Sequence, residues 1–115
     1  IRCGGTYWKG QQFGAIWVYS DQSDITGLRL QNIDIVDATH SGLMFQGPLT
    51  LLDSTFTNIR IENSGTYGIR VTGNSKGSAT LTGVTVSHSA QGGMLNEAKG
   101  NFLFEKKTGN SGLDQ

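Results

Sequence analysis

The chain is poor in most of what other fold classes require. It holds one cysteine, Cys3, and one proline, Pro48, in 115 residues. A lone cysteine forbids an internal disulfide and is too few for a structural zinc cluster. Charge is scarce and balanced: 16% of residues are charged, and nine basic side chains cancel nine acidic ones. No basic run exceeds Lys106-Lys107. Without a positive field, nucleic acid is not an expected partner. The longest apolar stretches, Gly14-Ala-Ile-Trp-Val18 and Gly42-Leu-Met-Phe45, fall far short of the ~20 residues that span a bilayer. A membrane partner is not expected either. The sequence opens at Ile1 with no initiator Met, basic n-region or apolar h-region, so it reads as processed or as a fragment of a longer chain.

Strong helix formers are thin as well. What is abundant is glycine, 17 residues, together with Ser, Thr and Asn. These are turn formers, and the composition points to an all-β fold of one domain's length.

A repeat then fixes the architecture. Leu30-Gln-Asn-Ile-Asp-Ile-Val-Asp-Ala-Thr-His-Ser-Gly-Leu43 overlays Phe56-Thr-Asn-Ile-Arg-Ile-Glu-Asn-Ser-Gly-Thr-Tyr-Gly-Ile69 without gaps, and Leu81-Thr-Gly-Val-Thr-Val-Ser-His-Ser-Ala-Gln-Gly-Gly-Met94 follows. The recurring columns are apolar (Leu30/Phe56/Leu81, Ile33/Ile59/Val84, Ile35/Ile61/Val86, Leu43/Ile69/Met94), a turn residue (Asn32/Asn58/Gly83) and glycine (Gly42/Gly68/Gly93). A fainter earlier copy ends at Gly14-Ala-Ile-Trp17, which places Trp17 over Phe45 and in the core. The in-out-in alternation around Ile33, Ile59 and Val84 has the period of a half-buried strand. A unit of about 25 residues is too short for two helices and their turns, so the expected fold is a right-handed parallel β-helix of about four coils. Strands are expected near 28–31, 54–57 and 79–82; near 33–36, 59–62 and 84–87; and near 43–46, 69–72 and 94–97. Residues 1–23 form an irregular N-terminal coil, 24–100 the regular coils and 101–115 a C-terminal cap, with Phe102-Leu-Phe104 closing that end. The open N-terminal coil is an expected surface for association.

Stacked coils place equivalent side chains about 4.8 Å apart, so the alignment predicts ladders. Asp34 should stand over Arg60, Asn32 over Asn58 and Asp37 over Asn63. His40 and His88 are two coils apart by the alignment, hence ~9–10 Å or more, no second imidazole or thiol column joins either one, and no metal site or cofactor is expected. Gly73-Asn-Ser-Lys-Gly77-Ser lacks the Walker A spacing, no Gly-x-Ser-x-Gly elbow occurs, and Asp21-Gln-Ser-Asp24 lacks the ligands of a calcium loop.

Two groups of residues remain as candidates. Glycoside hydrolysis needs two acids across the bond to be cut, and Asp34 and Asp37, three apart around a bend, are the catalytic candidates; a solvated turn is the competing reading. Sugar rings stack on aromatic faces, and Tyr7, Trp8, Tyr19 and Tyr67 are the substrate-binding candidates; packing or capping is the alternative for the first three. Arg29 and Arg70 read as solvated outward charges.

The segments Asp34-Ile-Val-Asp-Ala-Thr-His-Ser-Gly-Leu-Met-Phe-Gln46, Asn58-Ile-Arg-Ile-Glu-Asn-Ser-Gly-Thr-Tyr-Gly-Ile69 and Thr108-Gly-Asn-Ser-Gly112 resemble the C-terminal coils of bacterial alpha-1,3-glucanases of the mutanase and mycodextranase family. The resemblance spans roughly residues 24–112. It implies a secreted, inverting hydrolase of alpha-1,3-glucan whose catalytic work falls to aspartates, including an adjacent Asp-Asp pair. The present sequence has no Asp-Asp, so no catalytic residue carries across, and the resemblance places that machinery in coils N-terminal to Ile1. A carbohydrate-binding or structural solenoid that does not cut its polysaccharide is the alternative.

Overall fold

The structure is a computed structural model that describes residues 7–8, 11–12, 14–20 and 23–113, the first four by their backbone alone. Cys3, Phe13 and Asp21 lie outside the described residues, as do the side chains of Tyr7 and Trp8. The strands are β1 (Tyr7–Trp8), β2 (Gln11–Gln12), β3 (Gly14–Tyr19), β4 (Ile25–Thr26), β5 (Arg29–Val36), β6 (Ser41–Gln46), β7 (Thr50–Glu62), β8 (Tyr67–Val71), β9 (Lys76–Ser87), β10 (Gly92–Asn96) and β11 (Phe102–Lys106). Among the described residues there is no helix.

Two parallel sheets form the solenoid. One stacks β3, β6, β8 and β10 in chain order; the other stacks β4 and β5 on β7, then β9, then β11. β1 and β2 form a separate antiparallel pair. Ile33 pairs with Ile59 and Ile59 with Val84, so the expected columns stand in vertical register. Leu30, Phe56 and Leu81 likewise make one apolar column.

The bend column explains why the backbone turns without breaking its ladder. Asn32, Asn58 and Gly83 all have positive φ, at 57°, 55° and 65°. This left-handed region is tolerated best by Gly and Asn. Because every coil bends at the same height, hydrogen bonding continues through the corner, and the two strands expected on either side of it are one continuous strand in β5, β7 and β9. The amides add a ladder of their own: Asn58 Nδ2 donates to Asn32 Oδ1 at 2.7 Å. The third strand of each coil starts earlier than expected, at Ser41, Tyr67 and Gly92.

The glycine column has a packing cause. A Cβ on Gly42 would lie 2.5 Å from Ile61 Cγ2, and one on Gly68 2.2 Å from Val86 Cγ1. Each glycine is the notch that receives the branched side chain of the column next to it.

Between the sheets, Phe45 is fully buried, with ring centroids 5.5 Å from Phe56 and from Phe102 and 6.1 Å from Phe104. Phe102 and Phe104 belong to β11, which pairs residue for residue with β9, Phe102 against Gly77 through Lys106 against Leu81. This segment is therefore a further rung of the sheet, with Phe102 inside and Leu103 60% exposed.

The earliest copy departs from its expected register. Gly14 pairs with Ser41, not with Gly42, so Trp17 faces Met44 and Val18 faces Phe45. A slip of one residue moves a side chain to the other face of a sheet. Val18 is in the core and Trp17 is 43% exposed, which overturns the assignment of Trp17 to the interior. The alignment tolerates the slip because Trp and Phe are both large and apolar; turning two β-branched residues inward, Ile16 partly buried opposite Leu43 and Val18 buried opposite Phe45, decides it.

Two outcomes follow for chemical unfolding. Phe45→Ala removes the ring that links three others and should cost about 3–5 kcal/mol in urea, while Leu103→Ala should change stability by less than about 0.5 kcal/mol. Asn58→Ala should destabilise by about 1–2 kcal/mol, because alanine is strained at positive φ and ends the amide ladder, and Asn58→Gly should cost less. Equal losses for Asn58→Ala and Asn58→Gly would argue against a left-handed bend.

Candidate functional site

The solenoid commits its inward columns to the core, fully buried in the middle coils and partly buried at Ile16, Leu30 and Ile33, so the outward columns are where chemistry can sit. On β5 and β7 the exposed residues include charged ones, among them Asp34 and Arg60. Asp34 pairs with Arg60 in register, and Arg60 Nη2 lies 3.2 Å from Asp34 Oδ2. The same guanidinium donates from Nη1 to Glu62 Oε2 at 2.6 Å. The hydrogen bond to Asp34, reinforced by the charges of Asp34 and Glu62, pushes the Arg60 guanidinium above its ordinary value. All three side chains are well exposed. Asp37 sits at the next corner with φ 61°, and its Oδ1 accepts a hydrogen bond from Asn63 Nδ2 at 2.8 Å. Both acids are thus tied to the neighbouring coil by the ladder contacts expected of them.

The other sheet carries a different surface. In β3, Val18 points inward, leaving Trp17 and Tyr19 two apart on the outer face, each 43% exposed. Their rings stack on each other, with centroids 5.4 Å apart and planes 26° apart. Trp17 Nε1 donates to Gln46 Oε1 at 2.7 Å, and Gln46 is the register partner of Tyr19. Below Trp17 the outward column continues with Met44, Arg70 and Leu95. Met44 is buried yet belongs to this outer column rather than to the core cluster, flanked in register by Trp17 and Arg70. Arg70 Nε donates to Glu97 Oε1 at 2.9 Å, so this residue is ion-paired rather than simply solvated. Arg29 is exposed, and its Nη1 reaches Asp53 O and Thr55 Oγ1 at 3.4 Å.

The predicted site residues therefore divide. Asp34 and Asp37 belong to the coil's β5 side, whereas Tyr19 belongs to β3 of the other sheet, and Tyr67, half-buried, opens β8. The side chains of Tyr7 and Trp8 lie outside the described residues. Sequence reasoning did not bring Trp17 and Gln46 together with Tyr19. The signal that finds them is the register: with β-branched Ile16 and Val18 inside, Trp17 and Tyr19 must share the outer face.

The class these observations define is a parallel β-solenoid whose outer columns carry ion pairs, an amide ladder and a stacked aromatic pair. Comparison with known proteins narrows it. The profile of the family described as alpha-1,3-glucanase catalytic domain D2 matches residues 3–111, and the chain belongs to that family. Among solved structures, the catalytic domain of a GH87 alpha-1,3-glucanase in complex with nigerose is 27% identical with a TM-score of 0.80, over 96% of this chain and 22% of that one. A variant of such a catalytic domain in complex with tetrasaccharides is 29% identical, also with a TM-score of 0.80, over 92% of this chain and 21% of that one. The chain thus spans about a fifth of the length of the structures it matches. A search of curated proteins returns no match.

The exposed Asp34–Arg60–Glu62 group should behave as a screened surface network. Asp34→Asn should lower the urea midpoint slightly in low salt and leave it unchanged in 1 M NaCl. A loss that persists in 1 M NaCl would show that the carboxylate does more than pair with Arg60.

Proposed function

We propose that this chain is part of a secreted polysaccharide-degrading glycoside hydrolase that acts on alpha-1,3-glucan, and that it binds the polysaccharide. The observation that carries this reading is the family match over residues 3–111, supported by structures of about 27% identity solved with nigerose and with tetrasaccharides bound. Asp34 and Asp37 are its candidate acids, and Tyr7, Trp8, Tyr19 and Tyr67 its candidate sugar contacts. Export from the cell is part of the proposal, because a polymeric glucan is a substrate met outside it.

A second reading, a solenoid segment that holds glucan while the cutting is done elsewhere, is favoured by one feature of the two acids. General acid and base roles need a carboxylate free to exchange a proton with substrate or water. Asp34 instead faces a guanidinium, and Asp37 accepts from an amide.

Incubation of the chain with alpha-1,3-glucan, followed by measurement of reducing sugar, separates the two. On the first reading sugar is released, and Asp34→Asn or Asp37→Asn lowers the rate by at least about 100-fold, the scale of a lost general acid or base. On the second the chain sediments with insoluble glucan and releases none. A chain that neither releases sugar nor sediments with the glucan would remove the glucan reading altogether.

A further inference from the structure

We propose that Trp17 and Tyr19, held by Gln46, form a platform on the outer face of β3 that binds a glucosyl ring of a neutral alpha-glucan; the identity of the glucan rests on the family reading above. Four large hydrophobic side chains are exposed among the described residues: Trp17, Tyr19, Leu52 and Leu103. Two of the four are neighbours on one face and touch each other. The ring planes lie 26° apart, and each residue remains 43% exposed. Leaving an indole and a phenol in water costs hydrophobic free energy, which a ligand with an apolar face recovers.

Order on this face is already established before any ligand arrives. Trp17 cannot rotate freely, because its Nε1 donates to Gln46 Oε1 at 2.7 Å and its ring lies against Tyr19. Side chains fixed in advance spare a ligand the entropy of ordering them. The amide that fixes the indole also carries two N–H donors on Nε2, and the Tyr19 hydroxyl both donates and accepts. Apolar ring faces with amide and hydroxyl groups at their rim match a pyranose, whose C–H groups gather on its faces and whose hydroxyls ring its edge.

Electrostatics select among ligands that stack. A nucleobase would also lie on indole, but single-stranded nucleic acid needs a positive groove for its phosphates. The cation in this outer column is Arg70, and Glu97 neutralises it at 2.9 Å. The chain as a whole has no net charge. An uncharged polyhydroxylated ring is the ligand that fits.

The test uses the whole chain and an alpha-1,3-linked glucose tetrasaccharide. The sequence has two tryptophans, and the tryptophan emission of the native chain should change saturably as the tetrasaccharide is added, a change that Trp17→Phe should largely remove. By calorimetry, Trp17→Ala and Tyr19→Ala should each weaken binding about tenfold, and Trp17→Phe, which keeps a ring but loses the bond to Gln46, should fall between them and the native chain. Unchanged far-ultraviolet circular dichroism verifies that the variants fold. A single-stranded oligonucleotide should neither bind nor compete. Tetrasaccharide affinity unmoved by Trp17→Ala and Tyr19→Ala overturns the platform and leaves the glucan reading intact if the native chain still releases sugar. Competition by the oligonucleotide overturns the ligand class. Absence of tetrasaccharide binding by the native chain overturns the platform, and absence of sugar release with it removes the glucan reading as well.

Discussion

Each coil is held in place by its neighbour, through parallel strands that pair at offsets of 25 or 26 residues, and of 27 where β3 meets β6. No single coil could bury its own apolar face, since a strand has only two sides and one short lap encloses little volume. Stacking solves this: the inward columns of successive coils merge into one core, from Val18 and Ile35 through Phe45, Phe56 and Leu81 to Phe102. The in-register ladder is therefore the constraint from which core, corners and surface all follow. Left-handed asparagines at the bends and glycine notches beneath branched side chains are the local concessions that keep every lap the same shape.

The same constraint distributes function. With every inward column committed to packing, recognition is confined to outward columns, and stacking repeats each outward position once per coil at about 4.8 Å. One side of this chain uses that repetition for charge and amide ladders, such as Asp34 with Arg60 and Asp37 with Asn63. The other side holds the stacked Trp17 and Tyr19 beside Gln46. These exposed, ordered aromatics stand on a scaffold with no net charge, in a chain that belongs to an alpha-1,3-glucanase catalytic-domain family.

Much of this fold was legible before any coordinates, because the repeat is gapless where it is regular. Matching Ile33, Ile59 and Val84 sets the register, and the register alone yields the ion pair of Asp34 with Arg60 and the amide ladder of Asn32 with Asn58. Legibility failed where the repeat loses its regularity. Gly14 aligns with Gly42 by residue type, yet it pairs with Ser41, and that single step carries Trp17 from interior to surface. The fusion of two expected strands into β5 was hidden for a related reason: propensity marks Asn32 as a break, whereas neighbours that bend together preserve the ladder through it. The site was less legible than the fold, because outward columns obey no packing rule that a sequence pattern would record.

Cross-strand nuclear Overhauser contacts along the backbone of the labelled chain test the central claim most directly. The account predicts contacts that link Ile33 with Ile59 and Ile59 with Val84, each at the spacing of adjacent parallel strands and with no antiparallel Hα–Hα pairs between these segments. Contacts shifted by one position, such as Ile33 against Arg60, would turn every outward column inward and contradict it.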